Sequence, residues 1–122
     1  MEYLKQGNAI CKGTQVLRQA AFAAYAKAHH LNLNAAPTTA QASQLATTIL
    51  IPSIQATINE VKALVPPSSD QAQVTAMLAA AQQDLDRDKQ DPAQLVTSST
   101  TFAHSAKLLH AYGLTSCATN KG

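Results

Sequence analysis

The sequence predicts an all-α protein, arranged as an up-down four-helix bundle with a kinked second helix and a fourth helix in two pieces. Apolar residues recur at steps of three and four along most of the 122 residues, which is the spacing of one helix face. Alanine, the residue with the highest helix propensity, makes up about a fifth of the chain. Alternation typical of half-buried strands is missing. The length fits one domain, residues 1–122.

The first predicted helix covers about residues 2–30. Gly7 and Gly13 weaken it by about 1 kcal/mol each relative to alanine, so another interaction must hold its first half. Residues 32–37 are expected to end it. Its apolar residues are expected to form one buried stripe: Leu4, Ile10, Cys11, Val16, Leu17, Ala20, Ala21, Ala24, Tyr25 and Ala28.

The second predicted helix begins after Pro37, with Thr38 or Thr39 as its N-cap, and ends at the Pro66–Pro67 pair. Pro52 lies inside this helix. A proline there removes one backbone hydrogen bond and kinks the helix. The alternative interpretation of Pro52 is a site where unbonded carbonyl groups line a cavity for an apolar ligand.

Residues 68–70 are expected to cap the third helix, which continues to about Lys89. The run of mixed charges at its end, residues 84–89, is expected to be a solvated helix end. Asp91 and Pro92 give the start signal of a short helical turn. After a break at 98–101, the last helix runs from about Phe102 and ends with Gly113 as its C-terminal cap.

The two cysteines are far apart in sequence but close in the predicted topology. In an up-down bundle of four helices, the first and last segments share one pole, which brings Cys11 near Cys117. An even cysteine count with this geometry favours a disulfide. Two buried, reduced thiols in a cytosolic protein are the alternative. Disulfides persist in oxidising compartments, so we expect a secreted or envelope-associated protein, with Met1 standing where an export signal was removed.

The composition argues against several classes of function. Charged residues make up 13% of the chain, the net charge is +2, and lysine and arginine occur singly, which disfavours nucleic-acid binding. Apolar runs stay shorter than the ~18 residues of a transmembrane candidate. Motifs for nucleotide binding, serine hydrolysis and haem attachment are missing from the sequence. We therefore expect no catalytic residues and no cofactor.

The four histidines are the candidate ligands for a metal ion or haem. His29 and His30 end the first helix, where cations interact favourably with the helix dipole. His104 and His110 are six residues apart in the last helix and so lie on different faces. A metal site shared by both pairs would require the intervening chain to bend.

Short motifs occur in order along most of the chain. They are Tyr3…Asn8-Ala-Ile-Cys11, Ile58-x-x-Val-x-Ala-Leu64-x-Pro-Pro67 with Asp70, Met77-Leu78, Asp91-Pro92-x-x-Leu95, Phe102-Ala103 and Ala111-Tyr-Gly-Leu-x-x-Cys117. Together they resemble a family of small exported actinobacterial proteins, described as lipoproteins or secreted proteins of unknown function. The resemblance implies the same cysteine pairing and brings no activity with it.

The leading hypothesis is an exported, non-enzymatic helical bundle that binds a partner or assembles at the cell envelope. Self-association is one form of this hypothesis, because alanine-rich helix faces pack closely. One alternative is a carrier that holds a small apolar ligand between helices near Pro52. The other is a metal- or haem-binding bundle that uses the four histidines.

Overall fold

The computed structural model describes residues 2–31, 38–97 and 101–118. These residues form helices and turns, without a strand in the described ranges, so the all-α prediction is confirmed. The α-helices are α1 Glu2–Ala28, α2 Thr39–Leu45, α3 Ile51–Lys62, α4 Gln71–Asp88, α5 Gln94–Thr97, α6 Ala103–Tyr112 and α7 Thr115–Ala118. None of the described helices has the length and hydropathy needed to cross a membrane. The break predicted at 32–37 and most of that at 98–101 lie outside the described residues.

The second predicted helix runs without interruption from α2 through a π-helical turn, Ala46–Leu50, into α3. It begins with a capping box, in which the Gln41 N–H donates to Thr38 Oγ1 at 3.1 Å and the Thr38 N–H donates to Gln41 Oε1 at 2.9 Å. Pro52 is the second residue after the π turn, at the start of α3. Hydrogen bonds in this turn reach five residues back, and the wider turn accommodates a ring that would clash with the carbonyl four residues earlier. The irregularity predicted at Pro52 therefore takes the form of a π turn.

Two helices end on a residue with left-handed backbone geometry. Gly113, with φ of 114°, ends α6, and the Leu114 N–H then donates to the Leu109 carbonyl at 2.9 Å. The predicted cap at Gly113 is therefore confirmed. α1 ends at Ala28, and His30 follows it with φ of 55°.

The acidic end of α4 is a structural element rather than a solvated helix end. Asp84 and Asp88 are buried. Asp84 Oδ2 accepts a hydrogen bond from the Ser105 N–H in the first turn of α6 at 3.1 Å, and Asp84 Oδ1 accepts one from Arg87 Nη2 at 3.2 Å. The prediction of a solvated end is wrong because α4 supplies, across the protein, the cap that α6 lacks locally. Only Asp86, of these three carboxylates, is exposed.

Apolar side chains pack in two clusters. One surrounds the cysteines and contains Tyr3, Cys11, Val61, Val74, Met77, Leu109, Leu114 and Cys117. The other lies around the π turn and contains Ala46, Leu50, Ile54, Ile58, Ala81, Leu85, Leu95 and Phe102. The first cluster packs α1 together with α3, α4, α6 and α7, and it therefore fixes the orientation of α1.

Candidate functional site

A disulfide joins Cys11 on α1 to Cys117 on α7, with Cα atoms 5.1 Å apart. The pair that the sequence predicted is therefore present. Asn8 lies one turn earlier on α1 and reinforces it. Its side-chain amide donates to the Gly113 carbonyl at 3.2 Å, and its Oδ1 accepts from the Ser116 N–H at 3.0 Å. Together, the disulfide and these two hydrogen bonds fix the axial position and the rotation of α1 relative to α7.

The glycines near this junction differ in what they contribute. At Gly7 an added Cβ would lie 2.6 Å from Leu114 Cδ2, so close packing explains this glycine. At Gly113 the positive φ explains it. At Gly13 an added Cβ would meet no described atom within 4 Å, and the backbone is helical. Contacts inside the described part of the chain therefore account for Gly7 and Gly113 but not for Gly13.

In the middle of α1, after Cys11, two polar residues are buried and two large apolar residues are exposed. Thr14 and Arg18 are buried, Arg18 to 2% exposure, whereas Val16 and Leu17 are 66% and 71% exposed. Val16 and Leu17 follow Cys11 by five and six positions, which at 3.6 residues per turn places them on the far side of the helix. The predicted buried stripe is therefore wrong at six of its ten residues, which are exposed: Val16, Leu17, Ala20, Ala21, Ala24 and Ala28.

The far side of α1 forms a largely apolar surface, which we call the α1 outer face. Ala21 and Ala28, also predicted to be buried, are exposed beside it. An amphipathic helix normally gains stability by covering its apolar stripe, and a contiguous exposed apolar patch indicates contact with another molecule. Gln6 shares this side of the helix, and Lys5 and Lys12 border it. The residues of the α1 outer face, all exposed, are Ala9, Gly13, Val16, Leu17, Ala20 and Ala24.

A tyrosine pair lies beside the disulfide. The rings of Tyr3 and Tyr112 meet edge to face with centroids 6.1 Å apart, and the Tyr112 hydroxyl donates to Asp70 Oδ2 at 2.8 Å. Burial, the hydrogen bond to Asp70 and its negative charge raise the pKa of Tyr112 to about 12, so the phenol remains a neutral donor at physiological pH. Asp70 precedes α4, but its side chain makes no capping bond to that helix. The capping role predicted for Asp70 is therefore replaced by this contact.

The four histidines are all exposed. His29 stacks on Tyr25 with ring centroids 4.1 Å apart, and His104 and His110 lie on the surface of α6. Within the described ranges, no three side chains from histidine, cysteine, aspartate and glutamate are grouped so as to hold a metal ion. The structure therefore gives the proposed histidine site no supporting geometry.

A cavity of about 40 Å³ lies next to the disulfide. Its walls are mainly apolar, and Thr57 and Ser105 add hydroxyl groups. This volume suits one or two water molecules and is far below the 300–1,000 Å³ of typical ligand pockets. Pro52 is exposed and does not contribute to the cavity wall. The predicted ligand space near Pro52 therefore has no counterpart in this cavity.

A larger groove of about 510 Å³ runs between α3 and α4. Gln82, which lines the groove, forms a reciprocal amide pair with Gln55 across the two helices, with N···O distances of 2.8 and 2.9 Å. The volume of the groove lies within the range of small-molecule sites. The apolar side chains in its walls are Ile58, Leu64, Pro66, Val74, Leu78 and Ala79, and Lys62 supplies a cation.

No protein-family model matches the sequence, and comparison with curated proteins and with solved structures finds no similar chain. The resemblance to the exported actinobacterial family therefore stays a prediction. The features of the described chain that bear on function are the disulfide between α1 and α7, the α1 outer face and the α3–α4 groove.

Proposed function

We propose that this protein is an exported helical binding protein that acts through surface contacts at the cell envelope and not through catalysis. The disulfide supports the compartment, because such bonds persist where thiols are not kept reduced. The α1 outer face supports a function that depends on surface contacts. The helix buries Thr14 and Arg18 while Val16 and Leu17 remain mostly exposed.

The orientation of α1 is the observation that carries this proposal. Arg18 is buried with a hydrogen bond from its Nε to Ser53 Oγ at 3.0 Å, whereas exposing valine and leucine forgoes a hydrophobic gain of about 1.5–3 kcal/mol per fully buried side chain. The disulfide fixes this orientation in the folded protein. A partner that covers Val16 and Leu17 would recover the forgone burial energy.

Site-specific photo-crosslinking in the producing cells tests the proposal. A benzoylphenylalanine at Leu17 is expected to form adducts with a protein in the envelope or extracellular fraction. The same probe at Ala76, an exposed position on α4, is the matched control and is expected to give far less product. The proposal fails if Leu17 yields no adduct, if both positions react equally, or if the protein stays in the cytoplasm.

We also propose the up-down order of four helices, with α2–α3 as the second helix, α4 as the third and α5–α6 as the fourth. α1 packs against α3, α3 against α4, and α4 against α6. The covalent link between the two chain ends supports the same order, because both ends of an up-down bundle share a pole.

The α3–α4 groove favours a second candidate function, the carriage of an apolar ligand. Its volume and apolar walls suit a small amphiphile, with Lys62 beside an acidic headgroup. Native mass spectrometry of protein isolated from its producing cells is expected to show one bound molecule. Leu78→Gln, which places an amide in the groove wall, should remove that mass, whereas Ala76→Gln should retain it. Protein isolated without any bound mass would contradict the carrier function.

A further inference from the structure

We infer that the α1 outer face is the contact surface of a homodimer, in which α1 packs antiparallel on α1 of a second copy and Leu17 of each copy lies over Gly13 of the other. This inference rests on the proposed function, since it names the partner of the same surface. Four observations carry it: the unexplained glycine, the spacing of the apolar residues, the charges at the two ends of the face, and the small size of most side chains.

Gly13 is the first observation. A glycine inside a helix is less stable than alanine, and an added Cβ at this position meets no described atom within 4 Å. The described chain therefore contains no contact that requires a glycine here. A side chain that approaches from outside would require one, because glycine leaves a hollow in the helix surface. Leu17, a long side chain with 71% exposure, fits such a hollow in a second copy.

The spacing of the face supports an antiparallel pairing. Ala9, Gly13, Val16, Ala20 and Ala24 follow at steps of four, three, four and four, which is close to the seam of two packed helices. A two-fold axis at the level of residue 15 places Leu17 of each copy opposite Gly13 of the other. Large side chains then meet small ones on both sides of the axis, as a self-complementary two-fold interface requires.

The charges at the two ends of the α1 outer face also favour an antiparallel pairing of the two helices. Glu2 and Lys27 are both exposed and lie on the side of α1 that carries Gly13, and the exposed Lys5 lies at the edge of that side. In the antiparallel pairing, Glu2 of one copy lies within about one residue of Lys27 of the second copy, and this pair forms twice. A parallel pairing would instead place Lys27 opposite Lys27 and Glu2 opposite Glu2, which is repulsive.

The size of the face predicts a weak dimer. About ten residues of α1 would take part on each side, fewer than the 20–30 of a standard interface, so we expect a dissociation constant on the order of micromolar. The same surface is poorly suited to a membrane. Interfacial helices insert bulky apolar side chains such as tryptophan, phenylalanine and leucine, whereas four of the six residues here are alanine or glycine, Ala9, Gly13, Ala20 and Ala24.

Sedimentation equilibrium of the full chain, from roughly 1 µM to 1 mM, tests the inference. The unsubstituted protein is expected to shift from monomer to dimer within this range. Leu17→Gln is expected to weaken the dimer by about ten-fold or more, since one contact is lost at each of two symmetric positions. Val65→Gln is the matched control, because Val65 is 84% exposed outside α1, and it should leave the dissociation constant unchanged.

Gly13→Ala separates the dimer contact from the stability of the monomer. At concentrations where the protein is monomeric, alanine should raise the thermal midpoint, because it favours the helix and meets no described atom. The same variant should weaken the dimer, because its methyl group occupies the space of Leu17 of the second copy. A higher midpoint with unchanged or tighter association would overturn the inference.

Charge exchange tests the direction of pairing. Glu2→Lys should weaken the dimer by roughly three- to ten-fold at low salt, and Glu2→Lys with Lys27→Glu should restore it. A parallel dimer would show no restoration, and this result would overturn the inference. So would a monomer at 1 mM, or binding of α1 to phosphatidylglycerol vesicles in place of self-association. If the monomer still crosslinks to another protein through Leu17, the proposed function stands and only the homodimer fails.

Discussion

Replacement of Cys11 and Cys117 together by alanine is expected to lower the free energy of unfolding by about 2–5 kcal/mol. The disulfide closes a loop with a sequence separation of 106 residues, and the chain-entropy model gives roughly 4.7 kcal/mol for a loop of about this length. The four residues of α7 are too few to form a stable helix alone. Their place on α1 depends on the disulfide, on Asn8 and on Gln15, whose side-chain amide donates to the Ser116 carbonyl at 3.1 Å.

Urea unfolding followed by circular dichroism measures this effect. The m-value should rise in the alanine variant, because its unfolded chain is no longer held in a loop and exposes more surface. Reduction of the unsubstituted protein by dithiothreitol should reproduce most of the loss, and the same reagent should leave the variant unaffected. A loss below about 1 kcal/mol in both experiments would mean that packing alone holds the two ends together.

Local signals predicted the helices and several of their ends. The Thr38 capping box and the Gly113 cap depend on residues that are near neighbours in the chain, so a sequence contains the information that they need. The cysteine pairing was predicted for a different reason. It came from the proposed up-down order, in which the first and last helices share a pole, and small errors in helix boundaries leave that expectation unchanged.

The rotation of α1 was predictable only in part from its own residues. Val16 and Leu17 lie five and six positions from Cys11, which places them opposite a buried Cys11, yet the apolar pattern of the whole helix predicted them to be buried. Three distant contacts fix the rotation: the disulfide, the approach of Leu114 to Gly7, and the hydrogen bond from Arg18 Nε to Ser53 Oγ at 3.0 Å. These tertiary contacts show which face of the helix remains uncovered.

The groove between α3 and α4 was not predicted from the sequence, for a related reason. Ile58, Val74 and Leu78 each look like core residues of a helix. Only the placement of two helices side by side creates a concave surface between them. Pro52 was the available sequence signal for ligand space, but the π turn absorbs its effect on the backbone and Pro52 faces solvent. A break in helix geometry and a ligand space are separate features in this chain.

Asp84→Ala is expected to lower the free energy of unfolding by about 1.5–3 kcal/mol, the range for hydrogen bonds to charged groups. The carboxylate is the acceptor for the N–H of Ser105, which lies at the start of α6 and is 1% exposed. Without it, this N–H loses its partner inside the protein. Arg87 would keep its contact with the Thr101 carbonyl at 3.0 Å, and its side chain is 63% exposed. Loss of its ion pair with Asp84 therefore adds little to the loss of stability.

Asp86→Ala is the matched control for this effect. Asp86 is two positions away on the same helix and pairs with Lys89 at 3.3 Å, but both side chains are exposed, and such surface pairs contribute about 0.2–1 kcal/mol. Asp84→Asn should give an intermediate loss, because the amide oxygen can still accept from Ser105 while the charge is gone. Hydrogen exchange should become faster at the Ser105 amide in Asp84→Ala and remain slow in Asp86→Ala. Equal losses in the two alanine variants would mean that α6 is held by apolar packing alone, and that the carboxylate of Asp84 is buried without acting as its cap.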